Sequence, residues 1–121
     1  RASHDPLTGL VNRSEFEKHL RRALDSARKK GLLHALIFID LDRFKIVNDT
    51  CGHSAGDQLL KEVVAVIASC TRSTDVFGRL GGDEFVMILD NLGKDVDSAK
   101  QAIQLVGEKL LKEINDNLDR S

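Results

Sequence analysis

The stretch DVFGRLGGDEFVMIL, residues 75–89, leaves few folds open to this chain. Two strand-length segments, DVFGRL (75–80) and EFVMIL (84–89), flank Gly81-Gly82, the signature of a two-residue hairpin. An antiparallel pair is therefore obligatory, and its second strand is apolar enough to lie in a core. That strand is nonetheless entered through two adjacent acids, Asp83 and Glu84. Acids are poor strand formers, and ionised carboxylates are costly to bury unless paired or bound to a metal.

The segments around the hairpin supply the rest of a fold. DPLTGL (5–10) reads as a turn, and NRSE (12–15) as a capping box with Asn12 at the N-cap. Phe16, Leu20, Ala23, Leu24 and Ala27 then share one helical face up to the stop at RKKG, 28–31. LLHALIFID (32–40) is a continuous apolar run and predicts a buried central strand over Ala35 to Leu41. The polar, glycine-punctuated stretch 42–57 reads as a loop. From Ser54 a second helix follows through Leu59, Leu60, Val63, Val64, Ile67 and Cys70. A third amphipathic helix is predicted from Val96 to Leu118. Gly107 within it costs about 1 kcal/mol relative to alanine, which predicts a close packing contact there. No internal repeat is visible.

A strand–helix–strand crossover makes its two strands parallel, so the hairpin turns the last strand antiparallel to both. If that strand lies beside the first, Asp40 and Asp42 meet Asp83 and Glu84 at one end of the sheet. Asp40 and Asp42 are two apart and share a face on an extended backbone. Clustered carboxylates repel, and a divalent cation relieves them. Oxygen-only donors favour Mg²⁺, Mn²⁺ or Ca²⁺ over zinc, and Mg²⁺ keeps positions for water and substrate phosphates. Side-chain-free glycines would let phosphate oxygens approach the turn. Read singly, DLD is a strand-end turn and GG a plain hairpin; the expected meeting of the acids is what points to a metal–phosphate site.

Composition narrows the partners. The 121 residues suffice for one domain, 31% are charged, and the formal net charge is −1. No global field draws in a polyanion, so nucleic acid is not an expected partner. No apolar run is long enough to span a membrane, so this domain is expected to make no membrane contact of its own. Cys51 and Cys70 sit in no metal or redox spacing and read as reduced thiols of a cytoplasmic domain. His4, His19, His34 and His53 form no zinc pattern.

RLGGDEF (79–85) resembles the signature of GGDEF domains, the bacterial diguanylate cyclases. DPLTGLVNR (5–13), FIDLDRFKIVND (38–49) and GHSAGDQLL (52–60) agree with the same family in order and spacing. The resemblance implies an α+β fold like that of nucleotidyl cyclases and polymerase palms. Its core is ferredoxin-like βαββαβ, a mainly antiparallel sheet flanked by helices. It implies the condensation of two GTP to cyclic di-GMP with release of pyrophosphate, by a homodimer holding one GTP per protomer. Residues 1–4 are expected to be a linker or expression remnant, and 5–121 a domain that stops after its third long helix. The family's last strand, with an SIG-like motif, and last helix are then missing, which would expose an edge of the first strand and put the activity of this fragment in question.

Carried over by motif position, Asp40, the Leu41 carbonyl and Asp83 resemble the metal ligands, with Mg²⁺ expected and Mn²⁺ as an alternative. Asp83 is also similar to the acceptor of the hydroxyl proton, and Glu84 to the second signature acid. Gly81 and Gly82 match the phosphate-approach glycines, and Phe44 and Lys45 the positions near the terminal phosphates. Asn48 and Asp57 match the pair that reads guanine, with His53 beside them. As plain structure Asp57 would instead be a first-turn helix acid. Asp42 matches an acid of structural role. Arg72 and Asp75 in RSTD (72–75) stand nine residues before Gly81 at their first member, the spacing of the family's RxxD inhibitory site for cyclic di-GMP. The competing reading is a non-catalytic module that binds GTP or cyclic di-GMP and controls a neighbouring domain. A purely structural dimerisation domain makes poor sense of the retained acids.

Overall fold

A computed structural model of the chain describes residues 2–41, 50 and 52–118. Helix α1 spans Arg13–Lys30, and its ends follow from local chemistry. The Asn12 side chain accepts the Glu15 N–H at 3.0 Å. Only this half of the capping box forms, because the Asn12 N–H already donates to the Ser3 carbonyl and Glu15 turns to Lys18 and His19. Gly31 ends the helix in the left-handed region, and Arg28, Lys29 and Lys30 face the negative end of its dipole.

Strand β1 is Ala35–Asp40, helix α2 His53–Ala68, strand β2 Val76–Gly81, strand β3 Glu84–Leu89 and helix α3 Val96–Leu118. The sheet order is β1-β3-β2, with β3 antiparallel to both neighbours. This is the α+β architecture expected, with the hairpin strand slotted beside β1.

The central strand is β3 rather than β1. Phe85, Met87 and Leu89 face Leu60, Val63 and Ile67 of α2 and Leu110 of α3, while Val86 and Ile88 face Phe16, Leu20 and Ala23 of α1. Residues 85–89 are all buried, as a strand covered on both faces requires. Strand β1 alternates instead: Ala35 is buried, and Phe38 on the other face is 70% exposed. An apolar run cannot reveal which strand has neighbours on both sides, and among the described strands β1 is an edge.

Gly78 shows how tightly the N-terminal loop is applied to β2. A Cβ there would stand 3.0 Å from Val11 Cγ2, 3.2 Å from the Val11 carbonyl oxygen and 3.3 Å from Phe16 Cδ1. At Gly107 a Cβ would meet nothing within 4 Å among the described residues, which supply no packing contact of the kind expected there.

Candidate functional site

The hairpin turn falls one residue later than the two glycines suggest. Gly81 still pairs with Glu84, leaving Gly82 and Asp83 as the turn. A register shift between Arg79 and Gly81 marks a bulge just before it. Gly82 has φ +48°, the left-handed value a tight hairpin takes at its first central residue. Added Cβ atoms at Gly81 and Gly82 would meet nothing within 4 Å. Their need is conformational, and among the described residues nothing fills the space above the turn.

The register brings the acids together. Asp40 stands directly opposite Glu84 across the β1–β3 ladder, so the two side chains share a face about 5 Å apart at Cβ. Both are exposed, while Asp83 in the turn is half-buried. Asp40, Asp83 and Glu84 line one cleft of about 290 Å³ together with Phe38, Ile39 and Phe85. Like charges directly across a ladder destabilise it. The Asp83 and Glu84 carboxylates find no hydrogen-bond or ion-pair partner among the described residues.

Among the described residues no three His, Cys, Asp or Glu side chains could hold a metal by themselves. Two or three carboxylates on one side of an open cleft, with no complete protein cage, fit Mg²⁺, which shares its shell with water and phosphate. Zinc, which prefers nitrogen or sulfur, finds neither among the described residues that line the cleft. Leu41 packs its side chain, partly buried, against the core.

Helix α2 is oriented toward this end. Its Leu60 packs in one cluster with Phe85, against which Ile39 and Leu41 lie, and its Ile67 in another with Met87 and Leu89. The α2 N-terminus therefore points past the acidic end of the sheet, carrying exposed His53 and half-buried Asp57. The helix begins at His53, which moves Asp57 out of its first turn. Phe44, Lys45 and Asn48, with Asp42 and Cys51, lie outside the described residues.

Arg72 and Asp75 sit at the opposite end of β3. Asp75 is only 3% exposed and accepts from the Arg72 N–H (2.9 Å), Nε (3.3 Å) and Nη2 (2.9 Å), and from the Asp90 N–H (3.3 Å). Burial pushes the Asp75 carboxyl up, but these bonds more than offset it and hold the group below the usual carboxylate range. Arg72 also donates to the Asp90 carbonyl at 2.8 Å, and its side chain is 55% exposed. His34 joins the same corner, its Nδ1 3.1 Å from Asp90 Oδ1. Sequence reasoning missed Asp5 and Arg79, which brace the hairpin from the N-terminal loop; their separation of 74 positions hides the pair from any local pattern.

Comparison with known proteins agrees with this fold. The family described as Diguanylate cyclase, GGDEF domain, matches residues 2–120, and the chain belongs to that family. It is 48% identical over 115 residues to the probable diguanylate cyclase DgcE of Escherichia coli, covering 95% of this chain and 10% of DgcE. It is 40% identical over 119 residues to the cyclic di-GMP phosphodiesterase PdeB of Shewanella oneidensis, covering 97% of this chain and 13% of PdeB. The chain thus spans a small part of these relatives. Among solved structures, the GGDEF domain of DgcB from Caulobacter crescentus in complex with c-di-GMP matches with a TM-score of 0.85 and 33% identity, over 96% of this chain and 64% of that one. No helix of the described residues is long and apolar enough to cross a membrane.

Proposed function

We propose that this chain is the catalytic domain of a diguanylate cyclase, joining two GTP molecules into cyclic di-GMP as a homodimer. The observation that carries the reading is the meeting of Asp40, Asp83 and Glu84 in one open cleft. In this reading Asp40, Asp83 and the Leu41 carbonyl would hold Mg²⁺, or Mn²⁺ in its place. When bound, the cation neutralises charge developing on the phosphates and lowers the pKa of the attacking hydroxyl. The 3′-oxygen of one nucleotide bonds to the α-phosphorus of the other, the bond to pyrophosphate breaks, and Asp83 takes the hydroxyl proton. Glu84 supports that end of the cleft. Gly81 and Gly82 leave the turn open to phosphate, and Phe44 and Lys45 serve the terminal phosphates. Asp57 accepts from the guanine N1–H and 2-amino group, Asn48 serves the other edge, and His53 lies beside them. Arg72 and Asp75 form the inhibitory site for the product.

The test is incubation of the native protein that carries residues 1–121 with GTP and Mg²⁺, with cyclic di-GMP as the readout. Product that disappears in Asp83→Ala supports the assignment; product that survives defeats it. A second reading has an observation of its own, since the relative PdeB is named a phosphodiesterase. A domain of this kind in such a protein can serve as a non-catalytic module that binds GTP or cyclic di-GMP and regulates its neighbour. GTP binding without turnover would select that reading.

A further inference from the structure

Arg79 joins two parts of the chain at its two ends. Its Nη1 donates to both carboxylate oxygens of Asp5, each at 3.2 Å, and its Nε donates to the Gly82 carbonyl at 2.9 Å. Both side chains are largely withdrawn from solvent, Arg79 being 13% and Asp5 18% exposed. Asp5 is held in turn: its Oδ2 accepts the Thr8 N–H at 2.9 Å and the Thr8 hydroxyl at 2.7 Å. The surrounding loop is docked on β2 through the Val11–Gly78 bridge and the Arg79 N–H bond to the Val11 carbonyl at 3.0 Å.

The Gly82 carbonyl belongs to the peptide plane that leads into Asp83. Because that plane is rigid, fixing its oxygen fixes the direction in which the Asp83 backbone leaves the turn. Glycine alone cannot do this, since without Cβ it tolerates many conformations. An outside donor supplies the missing restraint.

We propose that Arg79 is a positioning residue for Asp83, anchored by Asp5, so that the N-terminal loop sets the geometry of the acidic cleft. This rests on the reading of that cleft as the reaction centre. Arg79→Lys tests it, because a single ammonium keeps the charge beside Asp5 but cannot also reproduce the guanidinium's bond to Gly82. In the native protein, Arg79→Lys is expected to lower kcat by about 10–100-fold. KM for GTP and affinity for cyclic di-GMP stay within about twofold. Asp5→Asn, which leaves Arg79 in place, shifts the same parameters in the same direction.

Amide hydrogen exchange gives a readout independent of turnover. Both variants should speed exchange at Asp83 and Glu84 by about tenfold while leaving the amide of Asp90 unchanged. Turnover in the parent with unchanged kcat in Arg79→Lys overturns the positioning role and leaves the catalytic reading intact. A parent without product defeats the catalytic reading, and the exchange pattern then decides whether Arg79 still sets the turn. Equal loss at both ends of β3, or loss of the fold in both variants, would make the link general support for the fold and overturn the proposal.

Discussion

Strand β3 ends in two opposite ways, roughly 20 Å apart at 3.4 Å per residue. At the Asp90 end the buried acid is answered: Asp75 accepts four hydrogen bonds, and Arg72 ties it to the Asp90 backbone. At the Glu84 end the acids are set against one another. Asp40 opposes Glu84 across the ladder, and neither the Asp83 nor the Glu84 carboxylate has a partner among the described residues. One end spends its carboxylates on holding the strand in place. The other leaves the Asp83 and Glu84 carboxylates unpaired among the described residues, at some expense of stability, as the proposed cation site would require.

The sharpest way to break this comparison is Asp83→Asn. Product formation should fall by at least about 100-fold, the usual worth of a positioned acid–base group. Thermal stability should not fall, because the change removes a charge from an acidic cluster without taking away a protein partner. A stable but fully active variant, or an inactive variant that is markedly less stable, would contradict the contrast. Next in size, Arg72→Ala should weaken inhibition by cyclic di-GMP by about 10–100-fold, the range for hydrogen bonds to a charged group. Initial rates at low product should hold; unchanged inhibition removes the second site.

Asp75→Asn probes the braced end by stability alone. It should cost about 1–3 kcal/mol in chemical denaturation, since a buried acceptor of several donors is disrupted. The Asp75 carboxyl lies below its ordinary 3.8 in the folded chain, so its contribution is present above that pH and lost as pH falls through the folded value. The gap between the parent and Asp75→Asn should accordingly close as pH drops below 3.8. A gap that widens there would reverse the assignment. Smallest of all, Gly107→Ala should stabilise α3 by about 0.5–1 kcal/mol, because the helix gains propensity and the new methyl meets no obstacle.

Much of this was legible from residue order. Asn12 and Gly31 cap α1 as their types require, and Val96–Leu118 forms one helix as its periodicity predicts. The convergence of Asp40 with Asp83 and Glu84 followed from a crossover and a hairpin. What could not be read was relational. The run at 32–40 is apolar because Ala35, Ile37 and Ile39 face the core, yet Leu36 and Phe38 on the other face are exposed. Two adjacent glycines permit a turn in either of two registers, and only pairing with Glu84 selects Gly82-Asp83. The Asp5–Arg79 link joins positions without any shared local pattern. The roles expected of Phe44, Lys45 and Asn48 fall outside the described residues.

The central claim is that the acidic end of β3 is held ready for a cation and nucleotide. Thermal unfolding of the parent and of Asp83→Asn, each with and without Mg²⁺ and a non-hydrolysable GTP analogue, tests it directly. With ligand at about 100 times its Kd, the parent should gain about 2.7 kcal/mol. Asp83→Asn should start no less stable than the parent and gain far less. Equal gains in the two proteins, or a variant already destabilised before ligand is added, would contradict the account.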